Sequence, residues 1–332
     1  MLSLIALLAA PAFAGEAPPI VNGEETSDYE AVGVLYAANN QGYGSPFCSA
    51  TLIHERWAVT AAHCADAFQD MAQYGYPNIF ILFGETVYTQ TGIFDYVQVS
   101  EGHIPSNYNP NTTEHDIALC ELVSDVTSVE PMPIREDPVL SLTGDEVTLV
   151  GWGITAGNNQ SQNTSGVKRT VDVPVNQVDN DKIYTYDGSP NGGNACSGDS
   201  GGALFLWEDG EPVLAGAMSY VYSGTNQDYC SGGTASTRVD KHIDWFSEYF
   251  DVSEAGGNSP EPEPEDETED TASDTGDTGD TGDTGDTGDT GDTNDLEESA
   301  LGVGCGCSGV GGAAGGLWVT LFGFALARRR RE

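Results

Sequence analysis

The chain has 332 residues, enough for one large β domain or two small ones with appendages, and carries a formal net charge of -41. That balance repels phosphate backbones and excludes nucleic acid as an expected partner. High glycine and tyrosine with modest leucine point to strands and turns rather than a helical bundle.

In chain order, residues 1–14 read as a secretory signal peptide. Leu2 to Ala10 is an apolar run and Ala12-Phe13-Ala14 has the small-x-small form of a cleavage site, although no Lys or Arg precedes the run. Residues 15–19 would be a short propeptide. Export permits disulfides among Cys48, Cys64, Cys120, Cys196, Cys230, Cys305 and Cys307.

Ile20-Val21-Asn22-Gly23 is an apolar pair before a turn. Phe47 to Cys64 holds two apolar, β-branched runs around His54-Glu55-Arg56, which predicts a hairpin. Cys48 and Cys64 lie at its two ends, so a disulfide could staple the loop that holds His63. Further strands are expected at Ile79 to Phe83, Phe94 to Val99, Asp116 to Leu122, Glu146 to Gly153, Val171 to Val175, Ala203 to Leu206 and Val213 to Met218. The helix expected is Asp240 to Phe250, with Ile243, Phe246 and Phe250 on one side. Many short strands imply a barrel or sandwich. His115 precedes Asp116 by one, so strand alternation would send them to opposite faces. His54, His103, His115 and His242 are read as ordinary residues.

Residues 253–300 form an acidic linker. Pro and Glu alternate from Pro260, and Asp-Thr-Gly repeats six times from Asp274. Such a segment cannot bury a core and is expected to be disordered. Asp-Thr-Gly is also the aspartic-protease signature, but a tandem run reads as a spacer. Residues 301–332 hold Cys305-Gly306-Cys307, an apolar stretch from Gly309 to Ala327 and Arg328 to Arg331. That pattern predicts a membrane-spanning tail with a cytoplasmic end. Asn111-Thr112-Thr113 and Asn163-Thr164-Ser165 fit the N-glycosylation pattern.

The stretch with most chemistry is Asn194 to Gly202. A serine hydroxyl between glycines needs a base, an orienter for that base and donors for the oxyanion it creates. Ile20-Val21-Asn22-Gly23, Thr60-Ala61-Ala62-His63-Cys64, Asp116-Ile117-Ala118-Leu119, Gly151-Trp152-Gly153 and Gly198-Asp199-Ser200-Gly201-Gly202 follow in order. In this the chain resembles the chymotrypsin/trypsin-like serine proteases over residues 20–252.

The resemblance implies an all-β fold of two antiparallel β-barrels with a C-terminal helix, no cofactor and no metal, and protein or peptide substrates. It implies Ser200 as nucleophile, His63 as base and Asp116 as orienter, with the N–H groups of Gly198 and Ser200 as oxyanion hole. It implies that a freed Ile20 α-ammonium pairs with Asp199. The bond to be cut is Pro19–Ile20, so the activating protease would not be tryptic. Asn194, six before Ser200, is placed at the base of the substrate pocket. Ser219, Tyr220, Val221 and Thr234 would form its walls, with Gly232 or Gly233 as alternatives to Thr234. An uncharged, narrowed pocket implies cleavage after small or medium neutral residues. Ser219 would also bond Asp116. A Cys196–Cys230 disulfide would clamp the pocket, leaving Cys120 as a buried free thiol. The tail resembles myxobacterial-type C-terminal sorting signals. This implies surface display, with a sorting protease acting near Cys305 or Cys307 and lipidation there; a plain membrane anchor is the alternative. The contrasting function is a catalytically silent binding or adhesion module.

Overall fold

The computed structural model describes residues 19–257 apart from 90, 140, 159–163 and 190–191. The expected signal peptide, most of the propeptide, the acidic repeats, Cys305, Cys307 and the apolar tail lie outside the described residues. No helix among the described residues is long and apolar enough to cross a membrane.

Two six-stranded antiparallel barrels make up the fold. The first uses β2 (Val32–Ala38), β3 (Gly44–His54), β4 (Trp57–Thr60), β5 (Asn78–Gly84), β6 (Ile93–His103) and β7 (Ala118–Leu122), closed in the order β2-β3-β4-β7-β6-β5. The second uses β8 (Glu146–Gly151), β9 (Arg169–Val178), β10 (Lys182–Thr185), β11 (Ala203–Glu208), β12 (Glu211–Tyr222) and β13 (Gly233–Arg238). Its order is β9-β10-β13-β12-β11-β8, and β8 pairs back to β9 to close it. The two-residue β1 (Glu24–Glu25) adds to the β9 edge. Closure leaves no long unpaired edge in either barrel.

The expected hairpin is present, with Thr51 opposite Val59 and Leu52 opposite Ala58. Strands β2, β10 and β13 were not expected from the sequence. β13 reads Gly-Thr-Ala-Ser-Thr-Arg and is buried throughout, so its small polar residues face protein on both sides and carry no alternation.

The core of the first barrel extends across to Trp152, Ala203 and Phe205 of the second, which also has a core of its own around Val147, Leu149, Val173 and Ile183. Trp152, 1% exposed, reaches across and donates from Nε1 to the Val32 carbonyl at 3.1 Å. Tyr29 stacks on Phe205 at 5.5 Å between ring centres. Both contacts join the barrels by burying aromatic surface, the largest hydrophobic contribution a single side chain makes.

Two helical expectations need correction. The C-terminal helix is Ile243–Phe246 only; Tyr249 then bonds back three residues to the Phe246 carbonyl at 2.9 Å, tightening the end into turns. Phe250 and Tyr249 still pack on Trp57 of the first barrel. An unexpected helix spans Ala62–Gln73. Its Ala, Gln and Met residues favour a helix, of which only Ala62, Cys64 and Ala65 are buried.

Candidate active site

His63 lies in the first turn of helix Ala62–Gln73, where backbone N–H groups lack helical partners. No side chain of its own segment caps this helix. The Asp116 carboxylate does so from outside: Oδ1 accepts from the His63 backbone N–H at 2.9 Å. The other oxygen, Oδ2, is 2.8 Å from His63 Nδ1. One carboxylate thereby fixes both the start of the helix and the ring of its second residue.

Asp116 is fully buried. Burial pushes its pKa up, but the charge of His63 and hydrogen bonds from His63 and Ser219 outweigh this and hold it below the usual carboxylate value. Ser219 Oγ donates to Oδ2, and Thr237 Oγ1 donates to the Asp116 carbonyl at 2.8 Å. Asp116 does not sit in a strand as expected. β7 begins two residues later, and His115 has φ 55°, a left-handed conformation that breaks the alternation. The two side chains diverge because of this turn.

Ser200 is tied to the first barrel through its carbonyl, which accepts from Ser49 N–H at 2.8 Å and lies 3.6 Å from Cys64 Sγ. Among the described residues no hydrogen bond joins Ser200 Oγ to His63 Nε2; such bonds are often long before substrate binds. Gly198 has φ 97°, which suits glycine, and a Cβ there would come within 2.9 Å of Gly153 Cα. Ser49 Oγ donates to the Gly198 carbonyl at 2.9 Å and accepts from Trp152 N–H at 3.1 Å. Sequence reasoning missed this hydroxyl, although it follows Cys48 directly.

A cavity of about 230 Å³ opens beside Ser200, with Ser219, Tyr220, Val221 and Thr234 among its lining residues. Val221 and Thr234 are direct cross-strand partners. Asn194, expected at the base, lies beneath Thr234 and does not line the cavity. It is 1% exposed, its Nδ2 donates to the Cys230 carbonyl at 2.8 Å and its Oδ1 accepts from Thr234 Oγ1. Cys196–Cys230 and Cys48–Cys64 are both disulfides, and Cys120 is a buried free thiol whose pKa burial pushes up to about 12.

Asp199 is fully buried behind Ser200. Burial pushes its pKa up to about 7, against the pull of two backbone N–H donors and Arg169. Those donors are Gly153, at 2.7 Å, and Cys196, at 2.8 Å. Arg169, also missed in the sequence, is buried nearby and donates to the Gly153 and Thr164 carbonyls at 3.2 and 2.7 Å. Ile20 is fully buried, and Val21 accepts from Asn194 N–H at 3.1 Å.

Residues 20–246 match the family model described as Trypsin. Trypsin-1 of Astacus astacus is 30% identical over 222 residues, covering 62% of this chain and 88% of that protein. Trypsin 5G1 of Aedes aegypti is 30% identical over 245 residues, covering 69% and 84%. Limulus clotting factor C of Carcinoscorpius rotundicauda is 30% identical over 231 residues, covering 61% of this chain. The matched region spans only 22% of that clotting factor's length.

Proposed function

The chain belongs to the trypsin family of serine proteases, and from that premise we propose that it is an exported, surface-anchored endopeptidase cleaving after small or medium neutral side chains. The observation that carries the reading is the Asp116 carboxylate, buried and bonded to both His63 nitrogens that face it. Ser200 Oγ attacks the scissile carbonyl, and His63 Nε2 takes its proton and returns it to the leaving amine. The bond to Asp116 keeps the Nδ1–H tautomer, so Nε2 is free to accept. The N–H groups of Gly198 and Ser200 receive the oxyanion, and the Ser49 hydroxyl, bonded to the Gly198 carbonyl, holds the Gly198–Asp199 peptide that lies between these two donors.

Specificity follows from the cavity. Val221 and Thr234, cross-strand partners, stand side by side in its wall and narrow it, and among the described residues no charged side chain lines it. Asn194 has both amide ends engaged and offers no charge to a Lys or Arg substrate. Replacing Val221 and Thr234 together by glycine should raise kcat/KM for a Phe or Leu substrate relative to an Ala substrate by roughly 10–200-fold. A panel of chromogenic peptides measures this; an Arg preference in the parent chain would refute the reading.

Export, anchoring and maturation rest on the sequence signals alone. Signal removal, cutting of Pro19–Ile20 by a non-tryptic protease or aminopeptidase, and processing of the tail near Cys305 or Cys307 complete the proposal. The test of the function itself is labelling of Ser200 by a fluorophosphonate together with peptide hydrolysis. A chain that begins at Ile20 and folds but neither labels nor cleaves is the silent module instead.

A further inference from the structure

Behind the orienting carboxylate, three side chains far apart in sequence meet. His115 precedes Asp116, Asp181 sits in the β9–β10 turn, and His242 precedes helix Ile243–Phe246. One ligand atom from each lies within 4.8 Å of the other two. The rings of His115 and His242 stand 5.5 Å apart, edge to face.

The hydrogen bonding around this cluster is lopsided. His242 is 3% exposed, and its Nδ1 lies 2.9 Å from the Arg238 carbonyl. A carbonyl only accepts, so Nδ1 carries the proton and Nε2 presents a lone pair. That Nε2 is buried and has no hydrogen-bond partner, and neither has His115 Nδ1. A buried polar atom without a partner normally costs free energy and calls for an occupant. His115 Nδ1 faces Asp181 Oδ1 at 3.5 Å, outside hydrogen-bonding geometry.

The charges nearby are otherwise committed. Lys182 Nζ donates to Asp181 Oδ2 at 2.7 Å, to the Thr113 carbonyl at 2.6 Å and to Thr237 Oγ1 at 2.9 Å, which uses its three protons. Arg238 pairs with Asp240. Asp181 Oδ1 also accepts from the His115 backbone N–H at 3.1 Å and keeps a lone pair toward the imidazoles.

We propose that His115, Asp181 and His242 form a binding site for a divalent cation of the zinc class, one residue behind the carboxylate that orients His63. A carboxylate suits zinc, calcium and magnesium alike, but two imidazoles beside it select zinc, because calcium and magnesium take oxygen ligands. The His242 Nδ1–H bond to a backbone carbonyl is the supporting contact that metal-bound histidines usually make. Burial pushes the His242 pKa down, which keeps the ring in the neutral form a metal needs. A tetrahedral zinc with bonds near 2.0–2.2 Å would draw the ligand atoms to about 3.3 Å apart, a contraction that side-chain rotation supplies. The His115 and Asp181 side chains are 37% and 18% exposed, so ion and water can enter from that side.

The experiment titrates the chelator-treated full chain with zinc by calorimetry, and with cobalt by visible absorption. Expected are a saturable step of one equivalent, the intense bands of tetrahedral cobalt and a rise in Tm. His115→Gln and Asp181→Asn, both at partly exposed side chains, should each abolish that step, and His242→Gln should do so if it folds. His103→Gln, in a separate His and Glu cluster, should leave it intact. The proposal is overturned if no saturable step occurs. It is equally overturned if the step survives His115→Gln and Asp181→Asn, because the ion then sits at His63, in the tail or beside His103.

Discussion

Changing Asp116 to asparagine should lower kcat about 10⁴-fold at neutral pH with the fold retained. The geometry dictates the loss. An asparagine oxygen can still accept from the His63 backbone N–H, as Oδ1 does at 2.9 Å. Its amide nitrogen must then occupy the place of Oδ2, 2.8 Å from His63 Nδ1. Two N–H donors cannot face one another, so Nδ1 gives up its proton and Nε2 takes one. An Nε2–H cannot accept the proton of Ser200. The flipped tautomer is otherwise well satisfied, since Ser219 Oγ can accept from the new amide, and the fold need not change. Turning the amide over instead would orphan the His63 N–H at the start of the helix. Ser200→Ala should be worse, about 10⁶-fold, because no nucleophile remains. Steady-state kcat, normalised by active-site labelling for the asparagine variant and by protein concentration for the alanine variant, measures both. Near-UV circular dichroism checks the fold. An asparagine variant within tenfold of the parent would remove Asp116 from the proposed role. Because the bonds from His63 and Ser219 keep the carboxylate ionised below its usual range, acid protonation of Asp116 should not set the acid limit of activity.

The parts of this site that the sequence announces are those whose residues are neighbours in the chain. Ala-Ala-His-Cys, Asp-Ile-Ala-Leu and Gly-Asp-Ser-Gly-Gly each carry their chemistry within a few positions. The barrel strands rich in Val, Ile and Leu are readable for a similar reason, because β propensity and apolar patterning are local. What the sequence hides is assembled by contact. Ser49 acts on Gly198 across 149 positions, and Arg169 matters because Gly153 and Asp199 fold against it. His115, Asp181 and His242 belong to three separate connections. Helix Ala62–Gln73 went unexpected because its first turn is also the end of a hairpin motif, and motif and propensity point to different backbones there. Asn194 shows a subtler limit: it was expected at the base of the pocket, but it is buried, hydrogen-bonded by Thr234 Oγ1 and absent from the cavity lining, a contact between residues 40 positions apart that no local pattern announces.

The uncut chain should lose stability as pH rises from about 4 to 7, whereas the chain that begins at Ile20 should not. In the uncut chain Asp199 has no ammonium partner, and burial pushes its pKa up to about 7 from an ordinary 3.8. A group whose folded pKa is raised contributes fully below the unfolded value, and that contribution is lost as pH climbs through the folded one. The interval corresponds to roughly 4 kcal/mol. A second cost sits at the same place. Ile20 is held at φ 40°, a left-handed conformation that a β-branched residue rarely adopts, and its side chain is nonetheless fully buried. Strain of this kind is on the order of 1–3 kcal/mol. Hydrolysis of Pro19–Ile20 removes both costs: φ is no longer fixed by a preceding residue, and the new α-ammonium can turn toward Asp199. Its charge then holds the carboxylate ionised, and the carboxylate in turn raises the ammonium pKa above the ordinary value of about 8. For the cut chain, stability and activity should therefore fade only in the alkaline range, where that ammonium deprotonates. Urea melts of both forms between pH 4 and 9, with Asp199→Asn in the uncut background, separate the terms. The asparagine variant should flatten the uncut profile because nothing titrates there. N-terminal sequencing of the active enzyme should begin at Ile20. Equal pH profiles for the cut and uncut chains would mean that Asp199 has found its charge partner elsewhere, with Arg169 the nearest cation, and that maturation does not act through this carboxylate.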